Sequence, residues 1–134
     1  FTAIEQKKET LEHRDYVQEM QVETAKDGYQ FTFVIADIAG YEGENSINQT
    51  LYHVQAENLE MAAALYQREN ERQLDFGHMK QIAADMTGQE IHPLLLELGH
   101  RSGISKSIPV MMETDGAKYI LREMIKAAYG RESL

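Results

Sequence analysis

The chain has no cysteine and no tryptophan, and only two prolines among its 134 residues. Without cysteine it can form no disulfide, no thiolate metal site and no cysteine nucleophile; a reducing, cytoplasmic compartment is the expectation. It lacks the run of roughly eighteen apolar residues that a membrane helix needs, and no signal-peptide pattern opens it. The glycine-rich phosphate motifs GxGxxG and GxxxxGK[ST] are missing, as is the GxSxG elbow of serine hydrolases. No cofactor is expected. The chain begins at Phe1 rather than Met, which points to processing or excision of a longer product.

What is present is the composition of one globular domain over residues 1–134: 43% hydrophobic and 26% charged residues. The net charge of −9 is uneven. Residues 1–73 carry 6 Lys/Arg against 14 Asp/Glu, and residues 74–134 carry 7 against 8. An acidic N-terminal half repels phosphate backbones, so nucleic acid is the lesser expectation for a partner.

Hydropathy patterning supplies the elements. "AIEQKKETLEHR" (residues 3–14) reads as a short polar helix. From Asp15 the period changes to two, with Tyr16, Met20, Val22 and Thr24 on one face and Val17, Glu19, Gln21 and Glu23 on the other. Asp27-Gly28 supplies a hairpin turn, and "YQFTFVIADIAG" is a central strand with Tyr29, Phe31, Phe33 and Ile35 inward. "INQTLYHVQA" makes a third strand. The segment 57–72 reads as a helix with two apolar stripes, Leu59, Ala62, Ala63 and Tyr66 on one side and Met61, Ala64 and Leu65 on the other. Two stripes call for two covers. Helical spacing continues in "HMKQIAADMT", "PLLLELGH" and a last segment with Tyr119, Ile120, Met124, Ile125 and Ala128 inward. The fold expected is α+β, in the order α-β-β-β-α-α-α-α: an N-terminal helix, a three-stranded antiparallel meander, a buried helix, and about three C-terminal helices (74–134) packed on the 1–73 portion.

Few residues invite chemistry. Glu97 and His100 have the Glu-x-x-His spacing of di-iron bundles, and Asp75 with His78 repeats it, but Gly77 sits between them in a turn. The expectation is no metal, with His100 meeting the negative end of a helix dipole and His92 solvated ahead of Pro93. Asp37 on the central strand, with His53 or Tyr41 near it, would be the acid–base candidate of an enzyme lacking a readable motif. "IAADMTGQEIHPLLLELGH" has the outline of a helix-turn-helix, but its second helix offers leucines rather than basic groups to a groove. The element order over residues 3–72 resembles that of double-stranded-RNA-binding domains. That family grips phosphate with a Lys-rich start to its second helix, where this chain has Glu57, Asn58 and Glu60.

The reading that follows is a non-enzymatic, acidic protein-interaction module, a regulator or inhibitor of phage or mobile-element type. Glu19, Glu23, Glu42 and Glu44 would form an acidic face for a basic partner protein. Ile108, Val110, Met111 and Met112 would form an exposed apolar patch for a partner or a second copy. The alternative is a nucleic-acid-binding module using Arg101, Lys106, Lys118, Arg122, Lys126 and Arg131.

Overall fold

The computed structural model describes residues 14–37 and 48–133. Their order is β1 (Arg14–Ala25), β2 (Gly28–Asp37), β3 (Asn48–Ala56), α1 (Leu59–Asn70), β4 (Gln73–Asp75), β5 (Gln81–Asp85), α2 (His92–His100), β6 (Pro109–Met112), β7 (Ala117–Ile120) and α3 (Leu121–Ser133). The strands form one mixed seven-stranded sheet in the order β3-β2-β1-β5-β6-β7, with β4 also on β1. Neighbours β3/β2, β2/β1 and β6/β7 run antiparallel, whereas β1/β5 and β5/β6 run parallel. This corrects the expected fold. The three N-terminal strands do pair as antiparallel neighbours, but they are one side of a wider sheet rather than a meander backed by a helical cluster. The expected N-terminal helix lies outside the described residues, apart from Arg14, which begins β1.

The Asp27-Gly28 turn joins β1 and β2 with positive φ at both residues, 64° and 153°. A Cβ on Gly28 would lie 2.5 Å from the Ala56 carbonyl oxygen of β3, so glycine is needed both for its φ and for the close approach. A β-bulge between Val17 and Glu19 breaks the alternation of β1. It brings Val17 onto the core side with Met20 and Val22, where simple alternation would have turned it outward.

All three helices contribute to a single core with Phe31, Phe33, Ile82, Ala84 and Val110 of the sheet. Helix α1 buries Leu59, Ala62 and Tyr66, as its first stripe requires. Its second stripe is not covered: Met61 is 46% exposed and Ala64 is also in solvent, while Leu65 is half-buried. The C-terminal helices that were to cover it are partly strands. "HMKQIAADMT" contains β5, and Tyr119 and Ile120 lie in β7 with 42% and 44% exposure rather than inward on a helix. Helix α2 runs between the parallel strands β5 and β6, the crossover such pairing demands. It lies close to α3, since a Cβ on Gly99 would meet the Tyr129 ring at 2.5 Å. The Tyr129 hydroxyl donates to the Leu96 carbonyl at 2.7 Å, tying the two helices.

Candidate functional site: the open face of the sheet

With most large apolar side chains turned into the core, the second face of the sheet carries mainly polar groups, with Leu51, Val34 and Met111 among its larger apolar ones. Strand register sets them out in transverse rows. His53, Thr32, Gln21, Ala83, Met111 and Lys118 are successive partners across six strands, and Gln55, Gln30, Glu23 and Asp85 form the row beside them. The Thr32 hydroxyl and His53 Nδ1 are 2.9 Å apart, and the amides of Gln49 and Gln18 meet at 2.7 Å. A shallow depression of about 150 Å³ is lined chiefly by Gln21, Glu23, Gln30, Thr32, Asp85 and Glu113. Glu23 and Asp85 are in direct register on adjacent strands, an arrangement of like charges that costs stability unless a cation or donor lies between them.

A second polar cluster closes the end of the sheet where β1 begins. Asp15 accepts the Tyr66 hydroxyl at 2.5 Å and Arg72 Nε at 2.6 Å, while Arg14 Nη1 is paired with Asp75 at 3.2 Å. Burial, reinforced by the hydrogen bond to Asp15, raises the Tyr66 hydroxyl well above the usual tyrosine range. Among the described residues Arg14 Nε is the buried side-chain atom left without a hydrogen-bond partner, and the remaining contacts pin the end of α1 to β1 and β4. Its role is structural.

The residues singled out in the sequence fall as follows. Glu19 and Glu23 are both on β1, with Glu23 at the depression; Glu42 and Glu44 lie outside the described residues. Ile108, Val110 and Met112 are core residues, and Met111 alone of the four is turned to the open face, half-buried. The expected exposed apolar patch is therefore replaced by a strand, β6, with one side in the core. Asp37 ends β2 opposite Asn48, five register positions from His53, so those two are not brought together; Tyr41 is outside the described residues. Glu97 and His100 also diverge. The Glu97 carboxylate accepts the N–H groups of Leu59 and Glu60, and His100 lies edge-on to Tyr129. Asp75 is engaged by Gly77 N–H and Arg14, while His78 packs edge-on against Tyr16. Among the described residues no group of three or more His, Asp or Glu converges as metal ligands. No described helix is long and apolar enough to cross a membrane.

The helix-turn-helix outline dissolves because its first half is β5 and its second helix buries Leu94, Leu95 and Leu98. Of the basic residues in the nucleic-acid alternative, Arg101 lies over the Phe76 ring at 5.1 Å. Lys106 Nζ donates to the carbonyls of Arg101 and Ile104 at 2.9 and 3.0 Å. Both cations are part of the scaffold. The residues that periodicity missed are Gln30, Thr32, Asp85 and Glu113. The only local signal for Asp85 is the short alternation Gln81-Ile82-Ala83-Ala84-Asp85, with Ile82 and Ala84 inward.

The family model for the spore germination protein N-terminal domain matches residues 7–126. The chain belongs to this family. No curated protein matches it, and no solved structure does. The match overturns the expectation of a regulator or inhibitor of phage or mobile-element type, and the nucleic-acid-binding alternative with it. For this germination domain a protein partner remains consistent with the family.

Proposed function

We propose that the chain is a non-catalytic docking domain of a spore germination protein, contributing the open face of its sheet to a multi-protein receptor for germination signals. The observation that carries this reading is the one-sided sheet: a core-facing side filled by the three described helices, and a broad, mainly polar side on which no described helix packs. The depression on that side holds about 150 Å³, below the roughly 300–1,000 Å³ typical of small-molecule sites, and is polar where those are mostly apolar. A flat polar surface suits a protein interface of the kind that carries direct hydrogen bonds and bridging water. The in-register pair Glu23 and Asp85, with Glu113 at the same depression, favours a Lys or Arg of the partner at that point.

The test is made in spores. Replacing Glu23 and Asp85 together by lysine is expected to slow germination and to remove cross-linked partners, with the level and melting temperature of the protein unchanged. Germination at the wild-type rate with full recovery of partners would overturn the reading.

A further inference from the structure

The sheet has two edges, and they are built differently. Strand β7 is four residues long and carries Lys118, both devices that discourage another strand from pairing there. Strand β3 is nine residues long, "NQTLYHVQA", with no charged residue and no proline. Among the described residues it pairs only with β2, and does so over its whole length from Asn48 to Ala56. Its other side is a row of backbone N–H and C=O groups that water must satisfy when no strand is beside it. Leu51, near its middle, is 56% exposed, more than any other large hydrophobic described.

We infer that β3 pairs antiparallel with β3 of a second copy, joining two sheets edge to edge across a two-fold axis near Tyr52. Charge selects this occupant. Two copies of a chain with net charge −9 repel each other over most of their surfaces, whereas β3 offers nine residues without charge. An antiparallel strand is also complementary to itself under a two-fold rotation, as an isologous interface requires. The axis is perpendicular to the sheet, so both Leu51 side chains lie on the same outer face, beside the join. Both polar faces then point the same way, giving a partner one continuous surface of twice the width.

The absence of cysteine makes the test clean. Sedimentation equilibrium of the 134-residue chain is expected to show a dimer, and Leu51→Lys to weaken self-association by at least about tenfold. Because Leu51 is exposed, the variant should keep the wild-type melting temperature at dilutions where both chains are monomeric, and fall below it only where the wild type is dimeric. The axis near Tyr52 sets Leu51 of one copy opposite His53 of the other, so oxidation of a mixture of Leu51→Cys and His53→Cys chains should give a disulfide-linked dimer, and a single cysteine placed at Tyr119 on the opposite edge should not. A chain that stays monomeric at every concentration, a dimer indifferent to Leu51→Lys, or cross-linking through position 119 instead would each overturn the inference. A strand from a different protein seated on β3 of a monomeric chain would also overturn it. Lysines at Glu23 and Asp85 leave the β3 edge untouched, so failure of the docking reading and failure of this one are distinguishable.

Discussion

The Glu97 carboxylate of α2 accepts the backbone N–H of Leu59, the first residue of α1, at 2.9 Å. Its other oxygen accepts the N–H of Glu60 at 2.8 Å, and Asn58 Oδ1 takes that of Met61 at 2.8 Å. Three of the four N–H groups that a helix start leaves unpaired are thus satisfied by two side chains. One of those side chains comes from 38 residues away in the chain.

This contact makes Glu97 a tertiary cap, with its negative charge at the positive end of the α1 dipole. Glu97→Ala is expected to cost about 1–3 kcal/mol, because it leaves the part-buried Leu59 N–H without its partner and returns the exposed Glu60 N–H to water. Glu97→Gln keeps one acceptor and should cost less. Thermal or urea unfolding measures both, and wild-type stability in Glu97→Ala would show that the cap contributes nothing.

Tyr52 and Tyr66 give the fold an alkaline limit. The Tyr52 hydroxyl donates to Glu69 at 2.5 Å, and its ring stands edge-on to Tyr66. Burial first, then the hydrogen bond and charge of Glu69, push Tyr52 from the usual 10.0 up to about 12. Tyr66 is raised in the same direction, by burial and then by Asp15. The folded chain therefore holds these protons at a pH where the unfolded chain has released them. Stability is fully present below pH 10 and is lost as pH rises through about 12. Tyr52→Phe should flatten that decline, as followed by unfolding midpoints between neutral and alkaline pH. An unchanged slope would remove Tyr52 from the account.

How much of this was legible in the residues depends on the distance over which each feature is set. The strands β1 to β3 were readable because Phe31, Phe33, Tyr52 and Val54 alternate cleanly and Asp27-Gly28 marks the turn between the first two. The C-terminal half was misread for a physical reason. Strand β5 lies between two parallel neighbours, with Ile82 and Ala84 in the core and Ala83 nearly as buried on the other side. A short strand with only the small Ala83 on its outer face gives an apolar run, and with Met79 and Met86 beside it that run also fits helical spacing. Strand β7 passes into α3 at Leu121 with no break residue between them, so the helical period extended back over Tyr119 and Ile120. The candidate site was not readable, because Glu23, Thr32, Asp85 and Glu113 meet only through pairing of strands far apart in sequence.

The bulge in β1 offers the sharpest test of the fold. Alternation through "YVQEMQVET" puts Val17 on the same face as Glu19 and Gln21, where a charge would be harmless. The register shift between Val17 and Glu19 puts it in the core instead, with no exposed surface. An aspartate there would be buried among apolar side chains without a partner, a change expected to cost more than about 4 kcal/mol. Gln21→Asp, on the open face and paired with Thr32 and Ala83, should change stability by less than about 1 kcal/mol. Expression and circular dichroism of the two variants decide between the registers. Two folded variants would restore simple alternation and remove the bulge, whereas an unfolded Val17→Asp beside a folded Gln21→Asp fixes which face of β1 looks into the core.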